Sequence, residues 1–229
     1  MIPVAQAAVP AEFDAKVRQP GLRAIAEMVG KASVYPRNAG KKLPQLTDKQ
    51  GRPLTLEQDI PADAFPPYWR KALPEMRVAY RSRCAYLAMH IHAATGNHTV
   101  DHVIPKSHAW TEVYEWSNYR LCAAIINSKK GALLTLVDPF AIGREWFALN
   151  FKTLQVERGP KLPPREWGRV DATLPVLNHR LCIQEREEYV QWYRIGPSAG
   201  GFDLQHLELR APFIASELRR QGLLVRGDV

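Results

Sequence analysis

The chain has 229 residues and a mass of 25.9 kDa, enough to bury a core without disulfide or metal staples and sized for one core with decorations. Its three cysteines, Cys84, Cys122 and Cys182, form no CxxC pair, which argues against a disulfide framework or a four-thiolate zinc site and fits a reducing, cytoplasmic setting. A formal charge of +8 and a pI near 9.5 point to a polyanionic partner, while no apolar run reaches the ~18 residues of a membrane span and the opening MIPVAQAAVP lacks a signal-peptide pattern.

In chain order, residues 11–29 predict a helix between Pro10 and Gly30, interrupted at Pro20 and Gly21. From Pro36 to Pro74, prolines and turn residues predict an extended, wrapping segment with a short helix at its end. Glu75 to Ala94 reads as helical, and HTVDHVIP after it reads as a short strand. NYRLCAAIINSKKG predicts a strand passing into a helix that stops at Gly131. Further on come a strand-rich piece around EWFALNFKTLQVERG, a proline-rich break at 160–164, a helical tract from Thr173 to Arg194, a glycine-rich break at 196–203, and a last helix in APFIASELRRQGLL. The whole reads as α+β, with segments 1–74, 75–140 and 141–229; the N-terminal arm and the C-terminal helices are the candidate docking surfaces for a partner. Most of the six tryptophans are expected to be core or half-buried anchors.

The stretch TVDHVIPKSHAW concentrates the chemistry. Asp101 and His102 end the first predicted strand, Asn118 begins the second, and Asn127 lies in the helix that follows. A carboxylate and a carboxamide oxygen suit a hard divalent ion. On a strand His102 faces away from Asp101, as a general base acting on water must, and Asn118 could hold its ring and tautomer. Lys106, Lys129, Lys130, Arg81 and Arg83 are the candidate phosphate contacts. Each feature also has a plain reading: an N-cap pair for Asp101 and His102, a turn asparagine at 118, and a polar helix end with a glycine cap at 127–131.

Taken together, DH, then N, then N followed at the third residue by Lys130 resembles the HNH endonuclease superfamily in its HNN variant. The resemblance implies a ββα-metal nuclease core embedded in helical extensions. It assigns His102 as general base, Asn118 as its support, and Asp101 with Asn127 as holders of one divalent cation, Mg2+ or Mn2+. CAYL at 84–87, VDHVIPKS, YEWSNYRLC, NSKKG, LVDP at 136–139 and DATLPVLNHRLCIQEREE further resemble the HNH nuclease subunit of Septu-type and retron-linked anti-phage systems. That likeness implies a metal-dependent DNA endonuclease, with RNA as an alternative substrate, whose partner is an SMC-like or ABC-like ATPase. The alternative is a catalytically inactive HNH-like nucleic-acid-binding or assembly subunit.

Related proteins commonly carry two CxxC pairs that form a zinc knuckle around the motif. Here the corresponding positions are Cys84 and Leu87, then Ala123 and Ile126. Cys122, one position away on a helix, would point about 100° aside. Structural zinc is therefore not expected, and Leu87, Ala123 and Ile126 are expected to form a small apolar plug in its place. Cys84 with His90, His92 and His98 is the one other candidate metal set.

Overall fold

The computed structural model describes residues 1–37, 40–225 and 228. Positions 38 and 39 of the predicted wrapping segment lie outside them.

Helix α1, Gln19–Met28, continues a π-helical turn at Asp14–Arg18, so the predicted break at Pro20 and Gly21 does not occur. Pro20 falls at the junction where the π-helical turn passes into α1. Val17, Gly21, Ala24, Ile25 and Met28 are buried along one face, at the three- and four-residue spacing that turns a helix toward a core. Gly21 is needed for close approach: a Cβ there would run into the Tyr114 ring.

Helix α2 covers only Leu73–Ala79, not the whole of Glu75–Ala94. The backbone then turns through positive φ at Arg81 and Ser82 and makes a bridge between Arg83 and His90. Within that loop the Cys84 and Ala88 amides donate to Met89 and Cys84 carbonyls, and the Ala85 amide donates to Leu121. Cys84 through Met89, and Ile91, are all buried. A run buried on every side has no polar face, so its apolar residues imitate a helix in the sequence while the chain actually folds into a knuckle.

Strand β1, His98–His102, and strand β2, Tyr119–Ala123, form an antiparallel pair that places Asp101 opposite Arg120 and His102 opposite Tyr119. The chain passes straight from β2 into helix α3, Ala124–Lys130, which packs back on both strands and ends at Gly131 with φ +51°. A second antiparallel pair, β3 Phe147–Leu149 with β4 Val156–Arg158, fills the predicted strand-rich piece.

Four helices follow: α4 Trp167–Leu177, α5 Arg180–Ile195, α6 Leu204–Arg210 and α7 Pro212–Arg220. The predicted tract from Thr173 is thus two helices. They divide where the Asn178 side chain leaves to bond both the amide and the carbonyl of Val156, at 2.8 and 2.9 Å. Buried Arg186 donates to the carbonyls of Leu154 and Leu177, tying α5 to the β3–β4 turn and the end of α4.

One continuous cluster of buried apolar side chains runs from Met1 through Phe13, Tyr86, Leu121 and Val170 to Leu218. The N-terminal arm is bound internally: the Val4 amide donates to Pro139, the Ala7 amide to the Tyr80 hydroxyl, and the Trp116 indole to the Ala7 carbonyl. Trp116 is buried, Trp69, Trp110 and Trp146 are half-buried against the core, and Trp167 and Trp192 are exposed. The architecture is a mixed α+β fold with two small antiparallel sheets. No helix among the described residues is long and apolar enough to cross a membrane.

Candidate functional site

A cleft of about 280 Å³ opens at the end of β1. Asp101, His102, Lys106 and Asn127 line it, together with Trp69 from the wrapping segment and Gly131 at the end of α3. The β1–β2 pair and the helix packed on it therefore bring three of the four motif residues to one cleft. Asn118, the fourth, works behind it.

Asp101 and His102 turn to opposite sides of β1, as alternation requires. The Asp101 carboxylate accepts from the Tyr86 hydroxyl at 2.7 Å through one oxygen and faces the Lys130 ammonium at 3.0 Å through the other. All but 2% of it is buried. Burial pushes its carboxyl upward in pKa, opposed by Lys130 and Tyr86.

On the other side the His102 ring meets Trp69 at 5.0 Å and Tyr119 at 5.1 Å between ring centroids, both edge-on. Its Nε2 lies 3.0 Å from the Val113 carbonyl, which also accepts from the Tyr119 hydroxyl. A carbonyl can only accept, so Nε2 carries the proton and Nδ1 is the basic nitrogen. Burial lowers the imidazole pKa to about 4, outweighing the Val113 bond that acts the other way. The ring is neutral at pH 7, the state a general base needs.

This shift has a stability consequence. Because the folded pKa lies below the ordinary value near 6.5, the unfolded chain binds the proton first as pH falls, and stability is lost between about 6.5 and 4. The loss is expected to total about 3 kcal/mol. Urea unfolding in EDTA across that range, compared with a His102→Gln variant lacking this titration, measures the difference.

Asn118 does not touch the imidazole. Its Oδ1 accepts from the Ile104 amide at 2.7 Å, and its Nδ2 donates to the carbonyls of Ile104 and Glu112, both at 3.0 Å. It closes the 104–112 loop, and so fixes both Val113 behind the ring and Lys106 beside it. Removing it in Asn118→Ala leaves three partly buried backbone groups short of a protein partner; an expected destabilisation of about 1–3 kcal/mol is readable in urea melts.

The basic residues are distributed differently from the sequence expectation. Lys106 lines the cleft, its ammonium 4.4 Å from the centre of the Trp69 ring. Lys129 is exposed on the last turn of α3. Lys130 is 2% exposed and engaged internally: it donates to the His102 carbonyl at 2.7 Å while pairing with Asp101. Arg81 and Arg83 do not border the cleft either. They belong to the strained turn after α2, and Arg83 lines a separate cleft with Val4, Tyr80 and Phe140.

Asn127 holds its place by donating through Nδ2 to the Thr99 hydroxyl at 3.1 Å and the Val100 carbonyl at 3.4 Å, so its carboxamide oxygen accepts nothing among the described residues. Each Asp101 oxygen has one partner and capacity for a second. The pair fits a hard cation in donor type. With two protein oxygens, the rest of the shell would fall to water and phosphate, as Mg2+ prefers. Among the described residues no three His, Cys, Asp or Glu side chains converge to hold a metal.

Around the knuckle positions, Cys122 lies on β2 rather than on a helix, and its buried thiol interacts with that of Cys84. Ile126 is fully buried, while Leu87 and Ala123 line a cleft with His90 and His92.

No family model, no curated protein and no solved structure matches the chain.

Tyr86, Trp69, Tyr119 and the Val113 carbonyl complete the site without having been marked by the sequence reading. Tyr86 sits within the CAYL motif, which offered a signal. Arg120 is a further one: it pairs with Asp138 through two bonds of 2.7 and 2.6 Å, donates to the Ser117 and Tyr119 carbonyls, and lies over Phe140. That arrangement locks LVDP to β2.

Proposed function

We propose that this chain is an HNH-type, metal-dependent endonuclease with a ββα-metal core, acting on DNA as the nuclease component of an anti-phage defence complex whose partner is an SMC-like or ABC-like ATPase. The observation that carries the reading is the convergence of Asp101, Asn127 and a neutral His102 on one cleft at the end of a strand pair. In this reading His102 Nδ1 takes a proton from water as the water oxygen bonds to phosphorus. The bond from phosphorus to the leaving sugar oxygen breaks, and solvent protonates that oxygen. An anionic phosphate near the ring opposes the desolvation that keeps it neutral, strengthening the base when substrate is present. Lys106, which lines the cleft, balances the phosphate charge. Asp101 and Asn127 would hold Mg2+ or Mn2+, which supplies positive charge to the phosphate and the leaving oxygen.

A second reading, an inactive HNH-like assembly subunit, is favoured by one observation: Lys130 already neutralises Asp101. Incubating plasmid and linear DNA, and RNA in parallel, with Mg2+ or Mn2+ separates the two, with and without the co-encoded ATPase. Calorimetric binding of Mn2+ that is lost in Asp101→Asn supports the first reading. Neither binding nor cleavage under any condition would leave the second.

A further inference from the structure

The wrapping segment contributes Ala62 and Trp69 to the lining of the cleft, a use the motif does not explain. Trp69 stands in a 3-10 turn at Tyr68–Ala72 and is half-buried. One ring edge relation runs to His102, at 5.0 Å and 88°. Tyr114 lies against the indole at 6.1 Å, tilted by 31°. Lys106 rests its ammonium over the ring at 4.4 Å.

Lys106 makes no ion pair with any carboxylate among the described residues. Burial lowers its pKa, with Asp63 acting against the shift. A lysine stem has four rotatable bonds and ordinarily leaves its charge in open water. Here the charge is kept at the cleft instead, beside the candidate base, by the attraction between an ammonium and the negative face of an indole. An ammonium that is partly desolvated and forms no ion pair among the described residues, with Asp63 acting on it only from beyond contact, is suited to receive an anion.

We infer that Trp69 is a positioning residue for substrate phosphate: its ring holds the Lys106 ammonium over the cleft, so that the wrapping segment completes the anion site of the endonuclease. This rests on the nuclease reading above. It adds a specific dependence, that the contribution of Lys106 to binding a nucleic-acid phosphate requires the aromatic face of residue 69.

The test is a double-mutant cycle on binding, without catalysis. The full-length protein, in EDTA, is titrated into a short fluorescein-labelled DNA duplex, and anisotropy is followed as a function of salt. Lys106→Met is expected to weaken binding about three- to tenfold and to reduce the salt slope by about one. Trp69→Leu should weaken it by a similar factor, the double variant should bind no more weakly than either single one, and Trp69→Phe should recover most of the loss. Tryptophan near-ultraviolet circular dichroism and thermal melts identify a Trp69→Leu protein that has lost its fold, in which case Trp69→Phe against Trp69→Phe/Lys106→Met supplies the cycle. Losses that multiply in the double variant overturn the inference. So does wild-type affinity in Lys106→Met, which would still leave the nuclease reading open to the cleavage assay. If the wild-type protein binds no duplex at all, the DNA-nuclease reading fails first and the inference with it.

Discussion

On the proposed nuclease reading, a His102→Ala variant is expected to retain the fold and to cut DNA at least about a hundredfold more slowly than the wild-type protein, up to about ten-thousandfold, the range for removing a general base. The structure makes this a sharp comparison. The ring is held by the Val113 carbonyl and by the edges of Trp69 and Tyr119, so only one nitrogen is basic. A His102→Gln variant can keep a hydrogen-bond donor for Val113 but has no comparable base. It should be as slow as the alanine variant while melting closer to the wild type. Initial rates on supercoiled plasmid with Mn2+, and with the proposed ATPase partner where the isolated chain is silent, provide the measurement. A His102→Ala rate equal to wild type would remove His102 from the chemistry.

The second large effect concerns the pair beneath the site. Lys130→Met is expected to destabilise the protein by about 3–5 kcal/mol, the usual consequence of leaving one member of a buried ion pair alone. Both partners are 2% exposed, and the ammonium also holds the end of β1 through the His102 carbonyl. Adding Asp101→Asn should recover part of the loss, since the remaining groups are then uncharged and Tyr86 keeps a carbonyl oxygen to bond. Lys129→Met, one position earlier on the exposed side of α3, should shift stability by no more than about 0.5 kcal/mol. Guanidinium unfolding of the four proteins gives the comparison; equal stability of Lys130→Met and Lys129→Met would show that the pair contributes nothing.

The contrast between those lysines also shows where sequence reading stops. HTVDHVIP reads as a short strand and NYRLCAAIINSKKG as a strand passing into a helix stopped by Gly131, which makes β1, β2 and α3 legible. Nothing local distinguishes Lys129 from Lys130, because both sit in a polar helix end before Gly131. Which of them is buried depends on where α3 lands against β1, a tertiary fact. The same holds for Asn118: a turn asparagine was readable, but its three bonds to the 104–112 loop required the loop's path. In the 84–91 knuckle, burial on all sides erases the period that distinguishes a helix from a strand. Trp69 had no signal, since its part in the site comes from a segment far away in the chain.

Gly21 brings α1 into this account. The helix can lie against the Tyr114 ring only because position 21 has no side chain. Tyr114 in turn leans on Trp69, and Trp69 on both His102 and Lys106. A single methyl group at the far end of that series must displace the first ring, and close packing passes such displacements on from one neighbour to the next. The alignment of the candidate base and its cation is therefore hostage to a residue that meets neither, and a tolerance map of the chain would find one of its least forgiving positions on a helix remote from the motif.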